Sequence, residues 1–110
     1  KYTKAFGNHP KIRPLKCLEN ILHAYHLYVV KFSGDNRDKL FSDLKEDSIG
    51  VNVHYLPIHQ HPFYKNLNNH NSGDFPNADQ AYKQILSLPI FSDISDEEVE
   101  YVIEKILEKL

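Results

Sequence analysis

Methionine is absent from these 110 residues, although translation starts with one and an ordinary chain of this size holds a few. That absence predicts a piece taken from the C-terminal part of something longer. Cysteine is almost absent too: Cys17 stands alone, which excludes an internal disulfide and any paired-cysteine metal site and agrees with a reducing, cytoplasmic setting. Charge of one sign is lacking. Thirteen Lys and Arg stand against 15 Asp and Glu, a formal net charge of -2, so no broad positive field exists to hold nucleic acid. No apolar run approaches the ~20 residues that cross a bilayer, and the N-terminus lacks the basic-then-apolar pattern of a signal sequence. Neither a membrane nor a nucleic-acid partner is expected. The four glycines, Gly7, Gly34, Gly50 and Gly73, are isolated, which excludes a Gly-rich phosphate loop. No serine sits in a G-x-S-x-G elbow, so nucleophilic hydrolysis has no support.

What is present suits one soluble domain with a modest core: 41% hydrophobic residues, 12% aromatic, and charges spread along the chain. Residues 1–23 carry Pro10, Pro14 and scattered basic residues without a clear period, and read as a connector leading into a unit over 24–110. "AYHLYVVKF" (24–32) predicts the first core strand. "DNRDKLFSDLKED" offers Asp35 or Asn36 as a cap and sets Leu40, Phe41 and Leu44 at helical spacing. "IGVNVHYL" alternates with period two and predicts a second strand, ended by Pro57. Residues 58–77 read as a long loop containing the polar run "NLNNHNSGD". A helix through Ala78, Ala81, Tyr82 and Ile85 and a short third strand in "SLPIF" follow. Ser95 and Glu98 have the spacing of a capping box, ahead of an apolar stripe at Val99, Val102, Ile103, Ile106, Leu107 and Leu110. The order predicts an α+β fold, a sheet of about three strands covered by helices.

"GVNVHYLPIHQHPFY" (50–64) concentrates His54, His59 and His61 with Tyr55 and Tyr64 between two prolines. Three imidazoles and a water would suffice for zinc, but their spacing follows no helical or knuckle pattern. Imidazoles, an amide and phenols also partner phosphate oxygens and sugar hydroxyls, which makes the stretch a candidate wall for a polar ligand. Core aromatics and turn-capping histidines are the bland alternative for each residue taken singly.

The series "KAFGN", "HAYHLYVVKF", "RDKLFSDLKEDSIGVNVHYLPIHQHPFY", "FPNADQAY", "LSLPIF" and "ISDEEVEYVIEKI" resembles, in order, the C-terminal small domain of the DegT/StrS-type nucleotide-sugar aminotransferases. These are pyridoxal 5'-phosphate enzymes of fold type I. Within the family, "VHYLPIHQHPFYK" is most similar to the C4 aminotransferases of pseudaminic acid biosynthesis. The resemblance implies glutamate as amino donor, a UDP-linked 4-keto-6-deoxy-N-acetylhexosamine as acceptor, and a homodimer. It also implies that the Schiff-base lysine and the cofactor site belong to a large domain outside this chain. On that pattern Asn52, His54 and Tyr55, with Val53 among them, lie beside the nucleotide sugar, and His59 and His61 come next. No catalytic, cofactor-binding or metal-binding residue is expected here, and the piece alone is expected to be inactive. Perosamine- and bacillosamine-type substrates are the alternative within the family. A free-standing binding module with a histidine-rich metal or ligand site is the alternative outside it.

Overall fold

Strand β2 (Tyr28–Phe32) alternates between two environments, with Tyr28, Val30 and Phe32 buried and Val29 and Lys31 only half-buried. In the computed structural model, which describes residues 1–34, 36–68 and 73–110, this strand is the middle of a three-stranded antiparallel sheet. Its neighbours are β1 (Ile12–Pro14) and β3 (Ile85–Leu88). The register sets Ile12 opposite Phe32, Leu86 opposite Val30 and Leu88 opposite Tyr28, so the apolar side chains of all three strands share one face.

Three helices complete the core on that face. They are α1 (Tyr2–Phe6), α2 (Arg37–Glu46) and α5 (Asp96–Glu108), which bring Tyr2 and Phe6, Leu40 and Leu44, and Val102 and Ile106 into the same buried cluster. Between α2 and β3 the chain makes a single 3-10 turn at Ile58–Gln60, then α3 (Pro62–Asn68) and α4 (Pro76–Gln84). Helix α4 lies against β2 and runs into β3 with no residue between them. The guanidinium of Arg37, 7% exposed, closes the end of α4: Nη2 donates to the Tyr82 carbonyl at 3.0 Å and Nε to that of Lys83 at 3.4 Å. A cation with donors thus meets the carbonyls that the last helical turn leaves unpaired.

The α+β expectation and the three-strand sheet hold, but two of the strands differ from those read in the sequence. The stretch 1–23 is not a plain connector: Tyr2, Phe6 and Ile12 are buried, and Ile12–Pro14 forms the edge strand missed for want of a period. Within it, residues 7–11 form the turn between α1 and β1, and 15–23 are without helix or strand. "IGVNVHYL" does not form a strand. It touches β3 at one pair, Asn52 with Ser87, and the next pairs along would be Gly50 with Pro89 and His54 with Ile85. Pro89 has no N–H, and the Ile85 N–H is already given to the Ala81 carbonyl at the end of α4, so the ladder stops on both sides. The expected loop at 58–77 contains the 3-10 turn and α3, which starts with Pro at its first position. None of residues 62–67 is buried, so no core-facing period was there to reveal that helix. Of the two candidate caps for α2, Asn36 holds the position without a side-chain bond, and Asp35 lies outside the described residues.

The capping box is present: Ser95 Oγ accepts the Glu98 N–H at 3.1 Å and Glu98 Oε2 accepts the Ser95 N–H at 2.7 Å. Ser95→Ala is expected to cost about 1 kcal/mol, seen in thermal unfolding as a Tm lower by roughly 4 to 8 °C. An unchanged Tm would remove the box from the account of α5. Burial pushes the Tyr2 hydroxyl up to about 12, with Tyr28 adding to the shift, and this hydroxyl donates to the Pro89 carbonyl at 3.1 Å. Because the folded value lies above the ordinary 10.0, the contribution to stability is whole below pH 10 and is lost as pH climbs toward 12. Alkaline titration followed by tyrosinate absorbance should show a late component, and Tyr2→Phe should diminish it.

Candidate functional site

The residues from Asn52 to His61 are brought to the edge of β3 by the way α2 ends. Ser48 takes a left-handed conformation (φ 62°), which lets the Ile49 N–H turn back to the Leu44 carbonyl at 2.9 Å. Ile49 and Val51 then enter the core, and Asn52 meets Ser87 through two backbone bonds, at 3.2 Å from the Asn52 N–H and 2.7 Å from the Ser87 N–H. Beyond that pair the chain leaves the sheet. Val53 stays half-buried against the core, while Asn52 and Tyr55 are exposed, Tyr55 by 67%. The peptide joining His54 to Tyr55 is cis.

Each histidine has its own partner. His54 Nδ1 lies 2.9 Å from Ser87 Oγ, and its ring meets Tyr55 edge-on with centroids 4.6 Å apart. His59 Nε2 lies 2.7 Å from Asp79 Oδ1 on α4, and its ring packs on Phe75 at 4.7 Å. Gln60 donates to the same Asp79 oxygen at 2.5 Å. His61 Nε2 donates to the Leu56 carbonyl at 3.1 Å, a bond within its own turn. Among the described residues no three His, Cys, Asp or Glu side chains gather where a metal ion could sit.

The six candidate residues therefore divide by role. Asn52, Val53, His54 and Tyr55 form one short rim beside β3, with Asn52 and Tyr55 exposed and Val53 and His54 half-buried. His59, 13% exposed at its side chain, is a tie between the turn and α4, and His61 closes the turn on itself. The polar groups that orient these side chains, Ser87 and Asp79, were missed as site residues because they lie 33 and 20 positions away from their partners. Only the neighbourhood of both within quoted motifs hinted at them. A cavity of about 410 Å³ opens beside the rim, with Gly50, Pro89 and Tyr101 in its wall, and none of the six lines it.

The hydrogen bonds from His59 and Gln60 hold the Asp79 carboxyl below its ordinary value of 3.8, the His59 bond contributing most. With the folded value depressed, the tie stabilises the fold above pH 3.8 and fades as pH falls through the folded value. Asp79→Asn should therefore be less stable than the parent at neutral pH, and the gap in Tm should close below pH 3.8. A gap that persists in acid would show that the charge of Asp79 is irrelevant.

Comparison with known proteins gives this geometry its context. A model of the DegT/DnrJ/EryC1/StrS aminotransferase family matches residues 1–107, and the chain belongs to that family. The spore coat polysaccharide biosynthesis protein SpsC of Bacillus subtilis is 37% identical to it, over 96% of this chain and 28% of SpsC. The UDP-4-amino-4,6-dideoxy-N-acetyl-beta-L-altrosamine transaminase of Campylobacter jejuni is 30% identical, over 92% of this chain and 27% of the transaminase. Among solved structures, the PLP form of the putative sugar aminotransferase Spr1654 of Streptococcus pneumoniae matches with a TM-score of 0.87 at 31% identity, over 96% of this chain and 27% of that one. The chain spans 26 to 28% of the length of the first relatives it matches. The fold is thus that of one part of the sugar aminotransferases, as the ordered motifs implied.

Proposed function

We propose that this chain is the C-terminal small domain of a pyridoxal-phosphate-dependent nucleotide-sugar aminotransferase, and that residues 52–55 form part of the wall of its substrate pocket. Family membership over residues 1–107 carries the reading. The whole protein would move an amino group from glutamate to C4 of a UDP-linked 4-keto-6-deoxy-N-acetylhexosamine, in the cytoplasm and as a homodimer. Similarity to the C. jejuni transaminase over 92% of the chain supports that substrate class.

The residues present do not fit the cofactor. Arg37 and Ser87 are the buried polar side chains among the described residues, so no buried lysine stands ready for a Schiff base and no buried carboxylate for a pyridine nitrogen. Lys1, Lys39, Lys105 and Lys109 pair with surface carboxylates. The cofactor accordingly falls to the large domain, and the isolated chain is inert. A second observation supports a larger body: Ile58, Phe63 and Leu67, close together in the chain, are 68, 69 and 65% exposed.

What this chain contributes is position. Asn52, His54 and Tyr55 offer an amide, an imidazole and a phenol at one rim, groups that hydrogen-bond phosphate and sugar oxygens and turn a sugar ketone toward the reacting centre. Val53 sets the spacing by anchoring the rim to the core. In the full-length enzyme, assayed against UDP- and dTDP-linked 4-keto sugars, His54→Ala should raise KM for the nucleotide sugar about tenfold, the worth of one hydrogen bond of about 1.4 kcal/mol. The half-reaction with glutamate should keep its rate. Equal loss in both half-reactions would remove His54 from the sugar pocket.

A further inference from the structure

Ser87 is buried, 4% exposed, and carries a hydroxyl for which the core has no use. Its neighbours on β3, Leu86 and Leu88, face the core, which leaves the Ser87 side chain on the opposite face of the sheet. Its two backbone groups serve Asn52. Its Oγ lies 2.9 Å from Nδ1 of His54. A buried hydroxyl has one proton that needs an acceptor, and a neutral imidazole offers a lone pair on one nitrogen and an N–H on the other.

We infer that Ser87 is a positioning residue of the substrate pocket: by donating to Nδ1 it fixes His54 as the tautomer protonated at Nε2, and so makes His54 a hydrogen-bond donor toward an oxygen of the nucleotide sugar. This rests on the reading of His54 as a sugar contact. Which nitrogen carries the proton is set by the bond the other nitrogen makes. Diphosphate, hydroxyl and carbonyl oxygens all present lone pairs, so a donor attracts them and the opposite tautomer would set lone pair against lone pair. Tyr55, edge-on at 4.6 Å, restrains the plane of the ring. Ser87 decides which atom faces outward. Alanine at position 87 keeps the main-chain pair with Asn52 and the core contacts of its neighbours, and so isolates the hydroxyl.

The test uses the full-length enzyme carrying this chain, with Ser87→Ala, Ser87→Thr, His54→Ala and the double variant. Ser87→Ala should raise KM for the UDP-linked 4-keto sugar up to about tenfold, with kcat little changed, and Ser87→Thr should return KM toward the parent value. Added to His54→Ala, Ser87→Ala should raise KM no further, since both remove one interaction. Nitrogen-15 spectra of the His54 ring should show the proton on Nε2 in the parent and a mixture in Ser87→Ala. Full additivity of the two substitutions, or an unaltered tautomer in Ser87→Ala, overturns the inference and leaves His54 as a sugar contact. An unchanged KM in His54→Ala overturns that reading instead, while the spectra still report on Ser87. Should Ser87→Ala not fold, the parent spectrum decides alone: a proton on Nδ1 overturns the inference.

Discussion

Asn52 and Ser87 exchange two backbone hydrogen bonds, and the place where the chain leaves the sheet and sets out the side chains of 52–55 follows from that one pair. Before it, Ile49 and Val51 are held by the core. Opposite Gly50 stands Pro89, and opposite His54 stands Ile85, and neither has a donor to offer, so the ladder is confined to this pair and the chain departs from the sheet at a fixed place. Were the ladder to continue, His54 and Tyr55 would be strand residues on opposite faces. Because it stops, both rings stand together at the edge. The second attachment, His59 and Gln60 on Asp79, keeps the released segment from swinging away from α4.

The amino-acid pattern revealed elements whose side chains meet the core at a regular interval. Helix α5 is legible down to its capping box, since Val102 and Ile106 are buried at helical spacing and Ser95 and Glu98 precede them. The inward side of α2 at Leu40 and Leu44 was equally plain. Strand β1 escaped because it contributes one buried side chain, Ile12, and one side chain has no period. Helix α3 escaped for the opposite reason, as its apolar residues point to solvent. The alternation at residues 49–56 misled: the two-residue period is real in burial through Val51, yet the backbone donors that a strand requires are committed or missing opposite it. Burial pattern and hydrogen-bond supply are separate conditions, and a period reports only the first.

At the candidate site the residue types were readable and their partners were not. The stretch announced itself by composition, and the family motifs marked its place. The partition into a rim at 52–55 and a tie at His59 depends on Ser87 and Asp79, which no spacing rule joins to histidines so far off in the chain. A cluster of three imidazoles in sequence became three separate hydrogen bonds in space.

Helix α4 passes into β3 without a single intervening residue, the Ile85 N–H closing the helix while Ile85 itself already pairs with Lys31. The junction therefore has no slack to absorb a change in length. Deleting one residue from α4 would turn the helix by about 100° if the strand kept its place, or shift the strand by one position if the helix kept its own. The second outcome would carry Ser87 to the core side and send a leucine outward beneath His54. Among related sequences, length variation should accordingly gather in the turns before α4 and spare the junction of Gln84 with Ile85, where chain length decides which face of the sheet is polar.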